Sequence, residues 1–203
     1  HVDSRVSPAH NLKIVQAIQP GGRVVAMTGD GINDAPALKA ADVGIALGED
    51  GTDVARDVAD VVLEKDNLDT IIQSVRHGRT TYSNIKKSVH FFLSTNFTEI
   101  MLMAASMGGG LGAPLTAMQL LWINIISDIF PGLALSLEPP EADVLEQPPR
   151  PAGEPIFSSG DYGRMIRESS VMTGAAMGAY GYGLLRYGMN GPASAIAFHS
   201  LTL

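Results

Sequence analysis

The feature that most constrains this chain is a proline-free run from Asn67 to Met107, which begins amphipathic and basic and ends apolar. Its second part, 89–107, has about the length that a helix needs to cross the hydrocarbon core of a bilayer. Its first part, 67–88, is too polar for lipid. We therefore predict one long helix that serves as a stalk over 67–88 and as a membrane span over 89–107.

Further apolar stretches follow and predict three more spans, the last of them cut short: 115–137, 169–187 and 193–203. The third span contains Gly174 and Gly178, a spacing that allows close contact between membrane helices. Segment 138–160 is rich in proline and charge, which predicts an aqueous loop. The sequence therefore predicts an α-helical transmembrane domain over 89–203.

The distribution of basic residues predicts the orientation of these spans. Five basic residues fall on one side of the predicted membrane: Lys86, Lys87, Arg150, Arg164 and Arg167. Positive charge favours the cytoplasmic side, so residues 1–88 are expected there as well. We predict a multi-pass integral protein of the cell (plasma) membrane.

Composition excludes several classes of function. The 203 residues carry 14 Lys and Arg against 21 Asp and Glu, a formal net charge of −7. This acidity argues against nucleic acid as the main partner, because phosphate backbones are bound by clustered basic residues. The chain has no cysteine, which excludes disulfides, thiolate nucleophiles and Cys-ligated zinc.

The first third of the chain has a different pattern, in which short apolar runs alternate with helical segments. The predicted strands are Val24–Met27, Val43–Leu47 and Asp60–Leu63, and the predicted helices are Asn11–Gln19, Asn33–Ala41 and Thr52–Ala59. Alternating strands and helices indicate an open α/β sheet with a ligand site at the carboxyl ends of its strands. Residues 1–66 are few for such a domain, so the sheet is expected to be partial.

An acidic, glycine-containing loop follows the first predicted strand. Thr28, Gly29 and Asp30 follow the end of that strand, and Asn33 and Asp34 open the next helix. Glycine permits close approach of a ligand, and carboxylates supply the hard oxygens that Mg²⁺ prefers, so the loop suits Mg²⁺ and phosphate. The alternative is an ordinary helix whose N-terminus is capped by Asn33 or Asp34.

Two acidic residues lie inside predicted spans, in the strings STNFTEI and WINIISD. An ionisable group near the bilayer centre costs at least about 2.5 kcal/mol, so Glu99 and Asp128 need partners or a function. Asn96 shares a helix face with Glu99, as Asn124 and Ser127 do with Asp128. An oxygen-only set of this kind suits a hard cation. The alternative is a set of helix-packing hydrogen bonds with protonated acids.

Several of these strings together resemble a known family. TGDGINDAPALKAADVGIAL closely resembles the hinge motif of P-type ATPases, and RVSPAHNLKIVQAIQ resembles the segment before it. The resemblance continues through STNFTEI and QLLWINIISDIFPGLALSLEPPEADVLEQPPRP, and it is closest to the calcium-pump-like branch of the cation transporters. It implies a partial α/β, haloacid-dehalogenase-like (Rossmann-like) phosphorylation domain over 1–66, followed by the stalk and the α-helical transmembrane domain.

The resemblance also implies roles for the motif residues. Asp30 would hold the catalytic Mg²⁺, while Asn33 and Asp34 support Mg²⁺ and phosphate within the loop that Thr28 and Gly29 begin. The transport ligands of the calcium-pump-like branch fall on five positions: Asn96, Glu99, Asn124, Ser127 and Asp128. The implied reaction is ATP hydrolysis through an aspartyl-phosphate, coupled to transport of Ca²⁺ or Mn²⁺ across the lipid bilayer.

Two departures from the family pattern qualify this interpretation. The phosphorylated D-K-T-G-T string does not occur, so we interpret the chain as the C-terminal part of a pump that needs its N-terminal part and is inactive alone. Asn11 stands where the family usually has a phosphate-binding lysine. Lys13 lies two residues further along the helix and replaces that lysine only if its side chain still reaches the phosphate. Otherwise we expect catalysis to be weakened.

Three alternatives remain at this stage. A lipid flippase of the same superfamily would share the TGDGIND loop but is not expected to keep Glu99 and Asp128. A soluble phosphohydrolase conflicts with the spans after Val89. A truncated, non-catalytic pump remnant fits Asn11 and the missing nucleophile.

Overall fold

The computed structural model describes residues 8–48, 51–64, 67–151, 153–188 and 191–202. The chain divides into two compact units. Unit 1 comprises His1–Arg79 and Glu141–Glu154, and unit 2 comprises Thr80–Pro140 and Pro155–Leu203. The start of the family-like segment at Arg5 and the last residue of the predicted span 193–203 lie outside the described residues.

Unit 1 contains a small parallel sheet. Its strands are β1 (Ala26–Gly29), β2 (Val43–Leu47) and β3 (Val61–Leu63), in the order β1-β2-β3. The register sets Thr28 opposite Ile45, so the carboxyl ends of β1 and β2 meet at one edge. The predicted first strand, Val24–Met27, is shifted: the observed strand begins and ends two residues later and reaches into the glycine-containing loop.

Short helices connect these strands. They are α1 (Pro8–Ile18), α2 (Ala35–Ala40) and α3 (Asp53–Val58). A 3₁₀ turn at Gln19–Gly21 follows α1, and another at Ile32–Asp34 precedes α2. The predicted helix Asn33–Ala41 is thus a tighter turn in its first residues. A proline at the start of α2 fits this boundary, because proline has no N–H to offer the preceding turn. Leu38, Ala46 and Ala55 form the buried core.

Unit 2 is helical, and its first helix is long and begins in unit 1. The helices are α4 (Leu68–Gly108), which unit 1 shares, α5 (Ala117–Trp122), α6 (Ile129–Ser136), α7 (Ser159–Tyr187) and α8 (Ala193–Thr202). The predicted second span, 115–137, is interrupted: a π-helical turn occupies Ile123–Ser127 between α5 and α6.

The glycine pair of the predicted third span lies outside the buried face of α7. Gly174 and Gly178 are exposed, and a methyl group added to either would meet nothing within 4 Å. The buried positions of α7 follow a different stripe: Met165, Ser169, Thr173, Ala176, Tyr180 and Gly183. Of these residues, Ser169 and Thr173 bond to the backbone of α4, whereas Gly183 lies against Ala193 of α8.

A cluster of apolar residues forms the core of unit 2: Leu102, Leu115, Ile123, Ala176, Tyr180, Ala193 and Ala197. Polar contacts join α6 to α4, since Asn84 Nδ2 donates to the carbonyl oxygens of Ser136 and Glu138 at 3.3 and 2.7 Å. Gly132 completes this contact, because any side chain there would overlap the ring of Phe92. By length and composition, Ala117–Ser136 alone qualifies as a membrane-crossing helix among the described residues.

Candidate functional site

Four polar side chains of unit 2 pair across α4 and the π-helical turn. Asn124 Nδ2 donates to Glu99 Oε2 at 3.0 Å, and Thr95 Oγ1 donates to Asp128 Oδ2 at 2.9 Å. Both acids are buried, with 7% of Glu99 and 4% of Asp128 exposed. Two carboxyl groups are thus enclosed, and each receives a hydrogen bond from the neighbouring element.

The π-helical turn has an identifiable cause. The Asp128 N–H donates to the carbonyl oxygen of Ile123, five residues back, at 3.0 Å. Pro131 has no N–H, so the carbonyl of Ser127 lacks its usual α-helical donor. Asn124 Nδ2 also donates to the carbonyl oxygen of Leu120 at 2.9 Å. Such turns are rare and occur frequently at functional sites, and this one carries two of the predicted ligands.

Glu99 keeps one oxygen without a partner. Among the described residues, its Oε1 atom is buried and receives no hydrogen bond. Glu99 and Asp128 both line a cavity of about 20 Å³, together with Thr95, Thr98, Ile123, Met172 and Leu201. A cavity of this size admits about one water-sized species, so Glu99 and Asp128 line a site that a single ion or water molecule fits.

The remaining predicted ligands lie elsewhere. Asn96 is exposed, and its Nδ2 donates to the carbonyl oxygen of Phe92 at 2.8 Å, within its own helix. Ser127 is half-buried at the end of the π-helical turn. The structure thus brings Glu99, Asn124 and Asp128 together but does not bring Asn96 to them.

Thr95 is the residue that sequence reasoning missed. It lies four residues before Glu99, a spacing that places both on one helix face as directly as the spacing from Asn96 does. The signal was therefore present in STNFTEI, but a hydroxyl group among apolar residues is more often a packing contact than a ligand.

The predicted phosphate loop lies at the carboxyl end of β1. The Asp30 side chain is exposed, while its carbonyl oxygen accepts from the Thr52 N–H at 2.8 Å. Asp34 is half-buried, and a β-carbon added to Gly29 would lie 2.6 Å from the Asp34 β-carbon. Glycine is therefore required for Asp34 to pack against the end of the strand.

Asn11 is the partner of Asp34 in this loop. Its Nδ2 atom donates to Asp34 Oδ1 at 3.4 Å, whereas Lys13 is exposed. Thr28 and Asn33 are exposed as well. The alternative of a simple helix cap gains no support, because neither the 3₁₀ turn nor α2 has a side-chain hydrogen bond at its N-cap.

The loop residues fit a weakly enclosed Mg²⁺ site. No three His, Cys, Asp or Glu side chains in the described part of the chain lie close enough to cage a metal ion. Mg²⁺ does not require such a cage, since it is usually bound by one or two carboxylates, water and substrate phosphate. The exposed Asp30 carboxylate and the neighbouring Asp34 meet that requirement.

Ion pairs join α4 to α7 at one end of unit 2. Lys86 Nζ lies 3.0 Å from Asp161 Oδ2, and His90 Nε2 lies 2.8 Å from Glu168 Oε2. Asp161 also accepts from the Ser158 N–H at 2.8 Å in a capping box. This backbone hydrogen bond, with the Lys86 contact, lowers the pKa of Asp161 to about 2.

Comparison with known proteins finds that the chain is similar to cation-transporting ATPases. The family model "Cation transporting ATPase, C-terminus" matches residues 112–203. Calcium-transporting ATPase 1 of Bacillus cereus is 50% identical over 158 residues, which are 78% of this chain and 18% of the relative. Calcium-transporting ATPase 1 of Schizosaccharomyces pombe is 50% identical over 157 residues, 77% of this chain and 18% of the relative.

A human relative gives the same result. Calcium-transporting ATPase type 2C member 2 of Homo sapiens is 44% identical over 168 residues, 83% of this chain and 18% of that protein. The chain thus spans less than a fifth of the length of the relatives that it matches. On these matches, the chain belongs to the calcium-pump-like branch of the cation-transporting P-type ATPases.

Proposed function

We propose that this chain is part of an ATP-driven cation pump and that Glu99, Asn124 and Asp128, with Thr95, bind the transported cation. The proposal rests on one observation: the carboxyl groups of Glu99 and Asp128 are both buried, and each accepts a hydrogen bond from the neighbouring element. Buried acids without a basic partner are costly in a membrane, and a cation that they bind offsets this cost. The unpaired Glu99 Oε1 is a further ligand atom.

The chemistry of these ligands favours a hard divalent cation. Carboxylate, amide and hydroxyl oxygens suit Ca²⁺ and Mn²⁺, and no soft sulfur ligand is available from cysteine. The matched relatives are named calcium-transporting ATPases. We assign Ca²⁺ as the leading substrate and Mn²⁺ as the second. Related sodium pumps carry an extra acid where Asn124 stands, which disfavours monovalent ions.

The phosphate loop of unit 1 would supply part of the ATPase site. Asp30 and Asp34, supported by Asn33, Thr28 and Gly29, would hold Mg²⁺, which neutralises charge on a transferring phosphoryl group. Asn11, at the family's lysine position, donates a hydrogen bond to Asp34, whereas Lys13 is exposed. We therefore assign Lys13 no direct role.

We therefore assign residues 1–66 to the second half of a haloacid-dehalogenase-like phosphorylation domain, 67–88 to the stalk and 89–203 to the membrane domain. The first assignment is supported by the parallel sheet with its acidic loop at the end of β1. Residues 1–88 would lie in the cytoplasm beneath the plasma membrane. The phosphorylated aspartate and the ATP site would come from the N-terminal part of the same pump.

The test uses the full-length ATPase that contains this chain. Glu99→Gln and Asp128→Asn are compared with the wild type and with Glu146→Gln, an exposed loop acid, in ATPase assays titrated with Ca²⁺, Mn²⁺ and Na⁺. We expect both site variants to lose Ca²⁺ activation or to need at least about a hundredfold more cation, and the control to match the wild type.

Three outcomes would contradict parts of this proposal. Unchanged Ca²⁺ activation in both site variants would overturn the ligand assignment. Activity that follows lipid rather than cation concentration would indicate the flippase alternative. A gene without an upstream D-K-T-G-T string would indicate the non-catalytic remnant.

A further inference from the structure

Two hydroxyl groups of α7 donate hydrogen bonds to the backbone of α4 beside the candidate cation site. Ser169 Oγ donates to the carbonyl oxygen of Ser94 at 2.8 Å, and Thr173 Oγ1 donates to that of Thr98 at 3.3 Å. Ser169 is fully buried, and 7% of Thr173 is exposed. The hydroxyl groups lie four residues apart on one face of α7, so they contact α4 at points one turn apart.

The two accepting carbonyl groups immediately precede Thr95 and Glu99. A peptide unit is planar, so a bond that fixes the carbonyl of residue 94 or 98 also fixes the nitrogen of the next residue. Thr95 then donates to Asp128, and Glu99 accepts from Asn124. The α7 hydroxyl groups thus hold the backbone directly before both α4 members of the cation site.

Close packing alone does not explain these hydroxyl groups. Ala176 lies on the same buried face of α7 and packs fully without a polar atom. The carbonyl oxygen of Ser94 already accepts from Thr98 Oγ1 at 2.8 Å, so a further donor is not needed to satisfy it. A hydrogen bond is directional, so the two bonds from α7 fix how far α4 is rotated about its own axis.

We propose that Ser169 and Thr173 are positioning residues, which set the rotation of α4 so that Thr95 and Glu99 meet Asp128 and Asn124. This inference rests on the proposed function of that site. Neither hydroxyl group lines the cavity at Glu99 and Asp128, so each acts through the α4 backbone. Their loss should weaken cation binding and leave the maximal rate of the loaded pump nearly unchanged.

The experiment measures Ca²⁺-activated ATPase activity of the full-length pump in Ser169→Ala, Thr173→Val and Thr173→Ser. Interhelical hydrogen bonds of this kind contribute modestly, so we expect Ser169→Ala and Thr173→Val each to raise the half-activating Ca²⁺ concentration about threefold. Valine keeps the shape of threonine, and serine keeps its hydroxyl group, so Thr173→Ser should retain wild-type affinity. Ser170→Ala is the matched control, since Ser170 Oγ donates only to its own helix, at Ile166.

Four results would overturn the inference. Unchanged affinity in Ser169→Ala and Thr173→Val, while Glu99→Gln alters it, rejects the positioning role and leaves the proposed function intact. An equal loss in Thr173→Ser, or in Ser170→Ala, would show a packing effect. Equal falls in affinity and maximal rate would show general destabilisation. If Glu99→Gln itself leaves Ca²⁺ dependence unchanged, the proposed function fails first, and the inference with it.

Discussion

Acidic residues occupy opposite environments in the two units of this protein. In unit 1, Asp30 is exposed at the end of a strand, and Asp34 is half-buried beside an amide. In unit 2, Glu99 and Asp128 are buried and depend on hydrogen bonds from Asn124 and Thr95. Water can solvate the first pair, whereas the second pair is enclosed by the protein, and Glu99 Oε1 receives no hydrogen bond from the described residues.

Because of this difference, we expect substitutions at the two sites to change different kinetic quantities: the maximal rate for unit 1 and the required cation concentration for unit 2. An exposed carboxylate that helps to hold Mg²⁺ acts on the chemical step, so its loss lowers the maximal rate. A buried carboxylate that binds the transported cation determines how readily the cation site fills, so its loss raises the cation concentration needed for half-maximal activation. The following predictions test or refine that division in the full-length ATPase.

Asp30→Asn should have the largest effect on rate. If Asp30 holds Mg²⁺ as proposed, its loss should lower the maximal ATPase rate at least about a hundredfold, while the half-activating Ca²⁺ concentration changes little. Steady-state ATPase titrations measure both quantities. Asp69→Asn, at an exposed acid in the first turn of α4, is the control. A variant that loses Ca²⁺ affinity but keeps its rate would break the comparison.

Asn11→Lys should strengthen the phosphate site. The side chain at this position already reaches Asp34, so a lysine amine there would bring positive charge to the loop. We expect about a tenfold gain in the rate of phospho-enzyme turnover, measured by rapid quench. Lys13→Ala should leave the rate unchanged because Lys13 is exposed. The reverse pattern would assign the phosphate contact to Lys13.

Thr95→Val should affect cation affinity and leave the rate unchanged. Without this hydroxyl group, the buried Asp128 carboxyl loses its donor, and unsatisfied buried groups cost about 1–3 kcal/mol. We expect the half-activating Ca²⁺ concentration to rise at least about fivefold, as measured by Ca²⁺ titration of ATPase activity. Thr95→Ser retains the hydroxyl group and should behave as the wild type. Equal effects of serine and valine would exclude the hydrogen bond as the cause.

Asp161 provides the smallest predicted effect, which depends on pH. Its pKa is lowered to about 2 from 3.8, chiefly by the Ser158 N–H, so the ionised form stabilises the start of α7. This contribution is complete above pH 3.8 and disappears as pH falls through about 2. Hydrogen exchange of the 158–165 backbone, corrected for intrinsic rates, should show the loss in the wild type. Asp161→Asn should show no such step.

The periodic segments could be predicted from the sequence because their patterns are local. The structure has β2 at Val43–Leu47 as expected, and α4 runs without a break where proline is absent. The predicted strand and helix around the acidic loop were shifted, since glycine and proline there set the backbone in ways that hydrophobic periodicity does not report. Pro131 and Gly132 predict from the sequence that this helix is loosened after Asp128 and that backbone carbonyl groups are freed. The position and type of the break, a π-helical turn at Ile123–Ser127, could not be predicted, because they depend on which carbonyl oxygens find donors.

The candidate cation site divides in the same way. The amino-acid sequence by itself determined that acids and amides occur within apolar segments, and helical spacing then limits which residues share a face. The packing of the helices shows that Thr95 pairs with Asp128 while Asn96 bonds within its own helix, and that Ser169 and Thr173 bond to the backbone of α4. The reason is physical: spacing fixes neighbours along one helix, whereas the rotation of one helix against another depends on contacts distant in sequence.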